Sequence, residues 1–102
     1  MATKVILVTG ATNGIGYETV KCFLQSSKPY HVFLGSRSLQ KGKDTIQKIR
    51  AECPGTTNTV ELLQIDLNSD ESIEKAFEVV KNGQGRLDVL INNAGKQVAS
   101  HL

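Results

Sequence analysis

The 102-residue sequence has little cysteine, no long apolar run and no marked excess of one charge. Each absence excludes something. The two cysteines, Cys22 and Cys53, are far apart and form no CxxC pair. That argues against a disulfide framework and against a metal site, so both are expected as free thiols in helices. The first apolar run, Val5 to Val8, is too short for a signal-peptide core or a membrane span, and no later run is longer. The expected setting is intracellular, reducing and cytoplasmic. Twelve Lys and Arg stand against ten Asp and Glu, the signs are interspersed and the net charge is +2. No nucleic-acid or membrane partner is expected from that balance. There is also no internal repeat, linker or low-complexity tract.

What is present is a regular alternation of two patterns. Val5-Ile6-Leu7-Val8 reads as a strand buried on both faces. Val20, Phe23 and Leu24 then form a helical stripe, predicting a helix from Gly14 to Ser26 that Lys28-Pro29 ends. His31 to Leu34 reads as a second strand. Ser38 can cap a second helix, with Leu39, Gly42, Ile46 and Ile49 on one face. Cys53-Pro54-Gly55 stops it. Val60 to Ile65 is the third strand, ending at Asp66. Asn68 or Ser69 can cap a third helix, whose first turn carries Asp70 and Glu71 and whose face is Ile73, Ala76, Phe77 and Val80. Leu87 to Ile91 is the fourth strand. The order β-α-β-α-β-α-β predicts an α/β fold, a parallel sheet with right-handed crossovers and helices on both faces. Residues 1–95 are expected to form it, and 96–102 a loose tail.

The stretch Thr9 to Gly16, TGATNGIG, lies between the first strand and the first helix. A helix N-terminus offers unpaired N–H groups and partial positive charge, which suit a pyrophosphate. Glycine permits the tight turn, the approach of phosphate oxygens to the backbone, and close helix–strand packing. Gly10, Gly14 and Gly16 therefore point to a dinucleotide. A tight turn without ligand is the alternative. An NAD site usually places an acid at the end of the second strand. Here that end reads Leu34-Gly35-Ser36-Arg37-Ser38, with no acid. Arg37 offers a planar fork suited to a 2′-phosphate, and Ser36 or Ser38 a hydroxyl donor, which favours NADP(H) over NAD(H). The same arginine also suits a solvated surface position.

Thr9-Gly10-Ala11-Thr12-Asn13-Gly14-Ile15-Gly16 resembles the glycine motif of the short-chain dehydrogenases/reductases, with its Gly-x-x-x-Gly-x-Gly spacing. Asn92-Asn93-Ala94-Gly95 is similar to the same family's Asn-Asn-Ala-Gly motif. The resemblance spans residues 4 to 95 and corresponds to the N-terminal part of the family's domain, closest in character to carbonyl-reductase-type members, and it implies half of a Rossmann-type doubly wound parallel sheet with strand order 3-2-1-4, incomplete at one edge. It implies that Gly10, Thr12, Asn13, Gly14, Ile15 and Gly16 cradle the cofactor. It implies that Asp66 and Leu67 line the adenine pocket, and that Asn93, Ala94 and Gly95 pass along the cofactor ribose. Asp66 could also cap the backbone near Asn68, and Asn92 could brace the sheet. The implied function is an NADP(H)-dependent oxidoreductase acting on a carbonyl/alcohol pair, with a small-molecule substrate and homo-oligomeric full-length members.

The family's tyrosine delivers a proton, and a lysine four residues later lowers the tyrosine pKa. The sequence has one Tyr-x-x-x-Lys, Tyr17 to Lys21, directly after the glycine motif. That is the wrong element, so no catalytic role is expected for it. His31 and His101 have no partner pattern. The family's catalytic serine and tyrosine lie beyond the fourth strand, so the chain is expected to lack turnover alone and to be a partial domain. A non-catalytic dinucleotide-binding module and an inactive truncated fragment are the alternatives.

Overall fold

A computed structural model of the chain describes residues 2–93. Strands β1 (Lys4–Thr9), β2 (Tyr30–Ser36), β3 (Thr59–Gln64) and β4 (Val89–Asn92) alternate with helices α1 (Gly14–Gln25), α2 (Leu39–Glu52) and α3 (Asp70–Gly83). The strands form one parallel sheet in the order β3-β2-β1-β4, as expected. Val8 of central β1 aligns with Leu34 on one side and Ile91 on the other.

Successive strand side chains point to opposite faces, so an unbroken apolar run serves a sheet covered on both sides. Ile6 and Val8 pack with Val20 and Leu24 of α1 and Ile46 and Ile49 of α2. Val5 and Leu7 point the other way, into a cluster with Phe33, Leu63, Ile73, Ala76 and Val80 beneath α3. The two layers explain why β1 tolerates no polar residue between Val5 and Val8.

Several boundaries differ from expectation. β3 starts at Thr59 and stops at Gln64, though Ile65 stays buried beyond it. β4 starts at Val89, because Leu87 and Asp88 belong to the approach to the strand. Leu39 is 46% exposed and does not share the buried face of Gly42, Thr45, Ile46 and Ile49. Its place in the first turn aims it toward solvent. Cys22 lies in α1, but Cys53 is the buried C-cap residue of α2, and burial pushes its thiol pKa up. Ser69, not Asn68, caps α3, accepting from the Ser72 N–H at 3.2 Å. No helix among the described residues is long and apolar enough to cross a membrane.

Candidate cofactor site

In a parallel α/β sheet, ligands bind where the loops leave the C-terminal ends of the strands. There a cleft of about 400 Å³ opens between the β1–α1, β2–α2 and β3–α3 loops. Gly10, Thr12, Ser36, Arg37, Asp66 and Leu67 all line it, as do Thr9, Gly35, Ser38, Lys41, Ile65 and Asn68. A second groove of about 610 Å³ includes Thr12, Asn13, Gly14 and Ile15 and follows the N-terminus of α1. Thr12 lines both. Three sequence-distant segments, at Gly10, Arg37 and Asp66, are thus brought to one cleft by the strand order.

The glycine loop divides its work. Gly16 is a packing residue: a Cβ there would sit 2.3 Å from the Gly10 carbonyl oxygen. Gly14 has φ +61° and nothing within 4 Å of where its Cβ would be. Its hydrogen therefore faces space that a ligand's phosphate can fill. The first N–H groups of α1 have no partner within the helix. Asn13 holds the N-cap position, but its side chain caps none of them, and the first turn carries no acid. Ile15 is 78% exposed beside them. Uncapped donors, a bare positive helix end and an open glycine together fit a pyrophosphate.

At the end of β2, the Ser36 hydroxyl donates to the Ser38 carbonyl at 2.8 Å. Its proton is committed inward, so Ser38 is the better-placed donor of the two. The Ser38 Oγ accepts from the Lys41 N–H at 3.2 Å and caps α2. The Gln64 amide donates to the Arg37 carbonyl at 3.2 Å, fixing the backbone that carries the guanidinium. Arg37 itself is exposed and makes no ion pair among the described residues. Asp66 lines the cleft while its Oδ1 accepts from the Asn68 N–H at 3.0 Å. One oxygen lone pair thus organises the turn, and the carboxylate keeps further accepting capacity. Across the sheet, Thr9 donates from Oγ1 to Asn92 Oδ1 at 2.9 Å, the bracing role expected of Asn92. Asn93 is exposed just beyond β4. Ala94 and Gly95, expected along the ribose, lie outside the described residues, as does the tail.

Tyr17 is 7% exposed, and its hydroxyl donates to Glu52 of α2. Burial, then Glu52, raises its pKa, the opposite of what proton delivery needs. Lys21 lies 3.7 Å from Glu52, and the Lys48 ammonium 4.9 Å from the Tyr17 ring centre. The Tyr-x-x-x-Lys spacing here builds a clasp between α1 and α2. Sequence reasoning missed Lys41. Its signal was its place three residues after the Ser38 cap, in the first turn of the helix that starts at Arg37's loop.

A parallel sheet in this order, with an uncapped glycine loop at the end of its first strand, defines a dinucleotide-binding α/β protein. The sequence profile described as short chain dehydrogenase matches residues 4–102, and the chain belongs to that family. It is 42% identical over 92 residues to the short-chain dehydrogenase/reductase tropE of Talaromyces stipitatus, covering 90% of this chain and 35% of that protein. Among solved structures, it is similar to menthone neomenthol reductase from Mentha piperita, with TM-score 0.80 and 28% identity, over 94% of this chain and 33% of that one. It is also similar to a metagenomic short-chain oxidoreductase in complex with NADP, with TM-score 0.75 and 32% identity, over 91% of this chain and 39% of that one. The chain spans about a third of the length of the curated relatives it matches.

Proposed function

We propose that residues 1–95 are the cofactor-binding part of an NADP(H)-dependent oxidoreductase acting on a carbonyl/alcohol pair. The observation that carries this reading is the end of β2. It presents Arg37 to the cleft, exposed and without an ion pair among the described residues, where an NAD site would present an acid. The similar metagenomic short-chain oxidoreductase in complex with NADP supports it.

The nicotinamide, when bound, supplies hydride transfer. This chain's residues would do the holding. The N–H groups at the start of α1 bind the pyrophosphate, with Gly14 leaving room for its oxygens. Arg37 and the Ser38 hydroxyl take the 2′-phosphate, and Asp66 and Leu67 take the adenine. Asn93, Ala94 and Gly95 are assigned to the ribose by the family resemblance. No tyrosine of this chain has an environment suited to proton transfer among the described residues. Tyr17 is clasped by Glu52, and Tyr30 opens β2 with its ring 4.8 Å from that of Phe23.

Titration of the folded chain with NADPH and with NADH tests the proposal. NADPH should bind more tightly. Arg37→Asp should cost NADPH at least about tenfold in affinity, in line with a lost charge-assisted contact, and leave NADH nearly unchanged. Equal effects on both cofactors would show that Arg37 does not read the 2′-phosphate.

A further inference from the structure

The opposite end of the sheet carries a cluster that the cofactor reading does not use. His31 is the second residue of β2 and Thr59 the first of β3, and the parallel register sets them side by side, with Phe33 beside Glu61. Side chains alternate along a strand, so these four share one face of the sheet. The Tyr30 N–H donates to the Asn58 side chain at 3.0 Å and ties the starts of the two strands together. On its other flank His31 aligns with Val5, whose side chain brings no charge and no hydrogen bond. Phe33 meets the imidazole edge-on, with ring centres 4.9 Å apart and planes at 86°. Both ring nitrogens are used: Nε2 lies 3.0 Å from Glu61 Oε1, and Nδ1 lies 2.6 Å from Thr59 Oγ1. An ionised carboxylate only accepts, so Nε2 carries the hydrogen on that side. In the neutral ring Nδ1 is then an acceptor, and the Thr59 hydroxyl donates to it.

The hydroxyls of Thr9, Thr19, Ser36, Thr45 and Thr56 donate to amide or backbone carbonyl oxygens, none of which takes up a proton at neutral pH. Thr59 points its hydroxyl at a base. The His31 side chain is only 12% exposed, whereas Thr59 is exposed, so the base is shielded and the hydroxyl is reachable. Hydroxyl, imidazole and carboxylate in line, each within hydrogen-bond reach of the next, is the arrangement that activates a nucleophile. We propose that Thr59, His31 and Glu61 form a second reactive centre, at which Thr59 accepts an acyl group from an ester. As Thr59 Oγ1 attacks the ester carbonyl carbon, its proton passes to His31 Nδ1. The new C–O bond forms, the bond to the leaving alcohol breaks, and the imidazolium returns the proton to the departing oxygen. The products are an O-acyl-threonine and the free alcohol, and nothing is oxidised or reduced. Glu61 is a positioning residue: it holds the tautomer that leaves Nδ1 free to accept, and it stabilises the imidazolium. Among the described residues β3 is an edge strand with β2 as its one neighbour, and the unpaired N–H groups of an edge are donors for a carbonyl oxygen that gains negative charge. The centre lies at the far end of the strands from the cofactor cleft and does not depend on the NADP(H) reading.

The test treats the full chain with p-nitrophenyl acetate, follows release of p-nitrophenolate and locates the acetyl group by peptide mass spectrometry. Acetyl should appear on Thr59. Thr59→Val keeps the β-branched shape that suits a strand and should remove that acetyl group. His31→Gln should slow acetylation of Thr59 about a hundredfold, the contribution expected of a general base. Glu61→Gln keeps an accepting oxygen and loses the charge, and should slow it at least about tenfold. Glu61 is exposed, so this variant should melt as the wild type does, which separates positioning of the imidazole from support of the sheet. Acetyl confined to amino groups would overturn the proposal. So would acetylation of Thr59 that persists in His31→Gln at the wild-type rate, because the hydroxyl would then react without its base. Full-rate acetylation in Glu61→Gln, or a loss there matched by earlier melting, would overturn the role of Glu61.

Discussion

Asn58 and Asn13 stand at opposite ends of the strands and use the same side chain in opposite ways. Asn58, buried before β3, donates from Nδ2 to the carbonyls of Phe23, Ser26 and Lys28 at 2.9–3.1 Å and accepts from the Tyr30 N–H at 3.0 Å. One amide thereby closes the turn between α1 and β2 from a loop some thirty residues away. Asp88 does similar work at the same end of the strands but at the opposite edge of the sheet, accepting from the Val5 N–H at 2.8 Å while its own N–H donates back to the Val5 carbonyl. At the other end of the sheet, Asn13 caps no N–H of α1, and Arg37 and Lys41 have no ion pair among the described residues. Polar groups at the N-terminal ends of the strands are satisfied by the protein itself. In the β1–α1 and β2–α2 loops, the Asn13 side chain caps no helical N–H and the Arg37 guanidinium has no ion pair among the described residues. The contrast separates residues that hold the fold from residues proposed to hold a ligand, even though both sets are polar loop residues in the sequence.

Breaking the closed end should cost the most. Asn58→Ala takes this partner from the Ser26 and Lys28 carbonyls and the Tyr30 N–H, while the Phe23 carbonyl keeps the Ser26 N–H, and losing part-buried hydrogen bonds of this kind costs about 2–4 kcal/mol together. Urea unfolding should register that loss, while the ratio of NADPH to NADH affinity in the folded chain stays put. A changed ratio at unchanged stability would erase the distinction between the two ends.

Breaking the open end should do the reverse. Gly14→Ala meets no neighbouring atom, so its cost to the fold is the strain of φ +61° for a residue with a Cβ, about 1 kcal/mol. Yet the new methyl enters the space assigned to the pyrophosphate. Affinity for both cofactors should drop by more than about tenfold, a loss of at least about 1.4 kcal/mol in binding. Nearly unchanged binding in the titration would remove the phosphate from that loop.

The open end was the more legible of the two. Glycine spacing, the missing acid at Arg37 and the apolar strand runs are local patterns, and local patterns set by backbone geometry or ligand chemistry can be read along the chain. The parallel sheet followed from the alternation of elements, and its strand order from the family resemblance. The closed end was illegible because its contacts join residues distant in sequence: 35 residues from Asn58 to Phe23, and 83 from Asp88 to Val5. Asp88 fell inside the expected fourth strand, Leu87 to Ile91, when it is the clamp ahead of β4 that ties it to β1. Tyr17 shows the same limit from the other side. Its spacing to Lys21 suggested chemistry, its position argued against it, and only the partner Glu52 explains what the hydroxyl does. Lys41 was passed over because a lone helical lysine carries no pattern. Its place in the cleft shows only in the fold.

The mildest intervention is at Asp88, where the closed end can be loosened with pH. The Val5 N–H first, and Arg86 at 3.0 Å second, hold its carboxyl below the usual aspartate range. A group whose folded pKa is depressed stabilises the fold above its unfolded pKa and loses that contribution as pH falls through the folded value. The stabilisation should therefore be complete at neutral pH and fade below about pH 4, where an unfolded aspartate protonates. Asp88→Asn keeps an oxygen for the Val5 N–H and loses the charge that attracts Arg86. Its urea midpoint should lie slightly below wild type at pH 7, because exposed ion pairs contribute little. The two curves should converge as the acid is titrated. A gap that stays constant down to about pH 3 would mean that shape, not charge, makes Asp88 the clamp, and the closed end would then be insensitive to pH at this point.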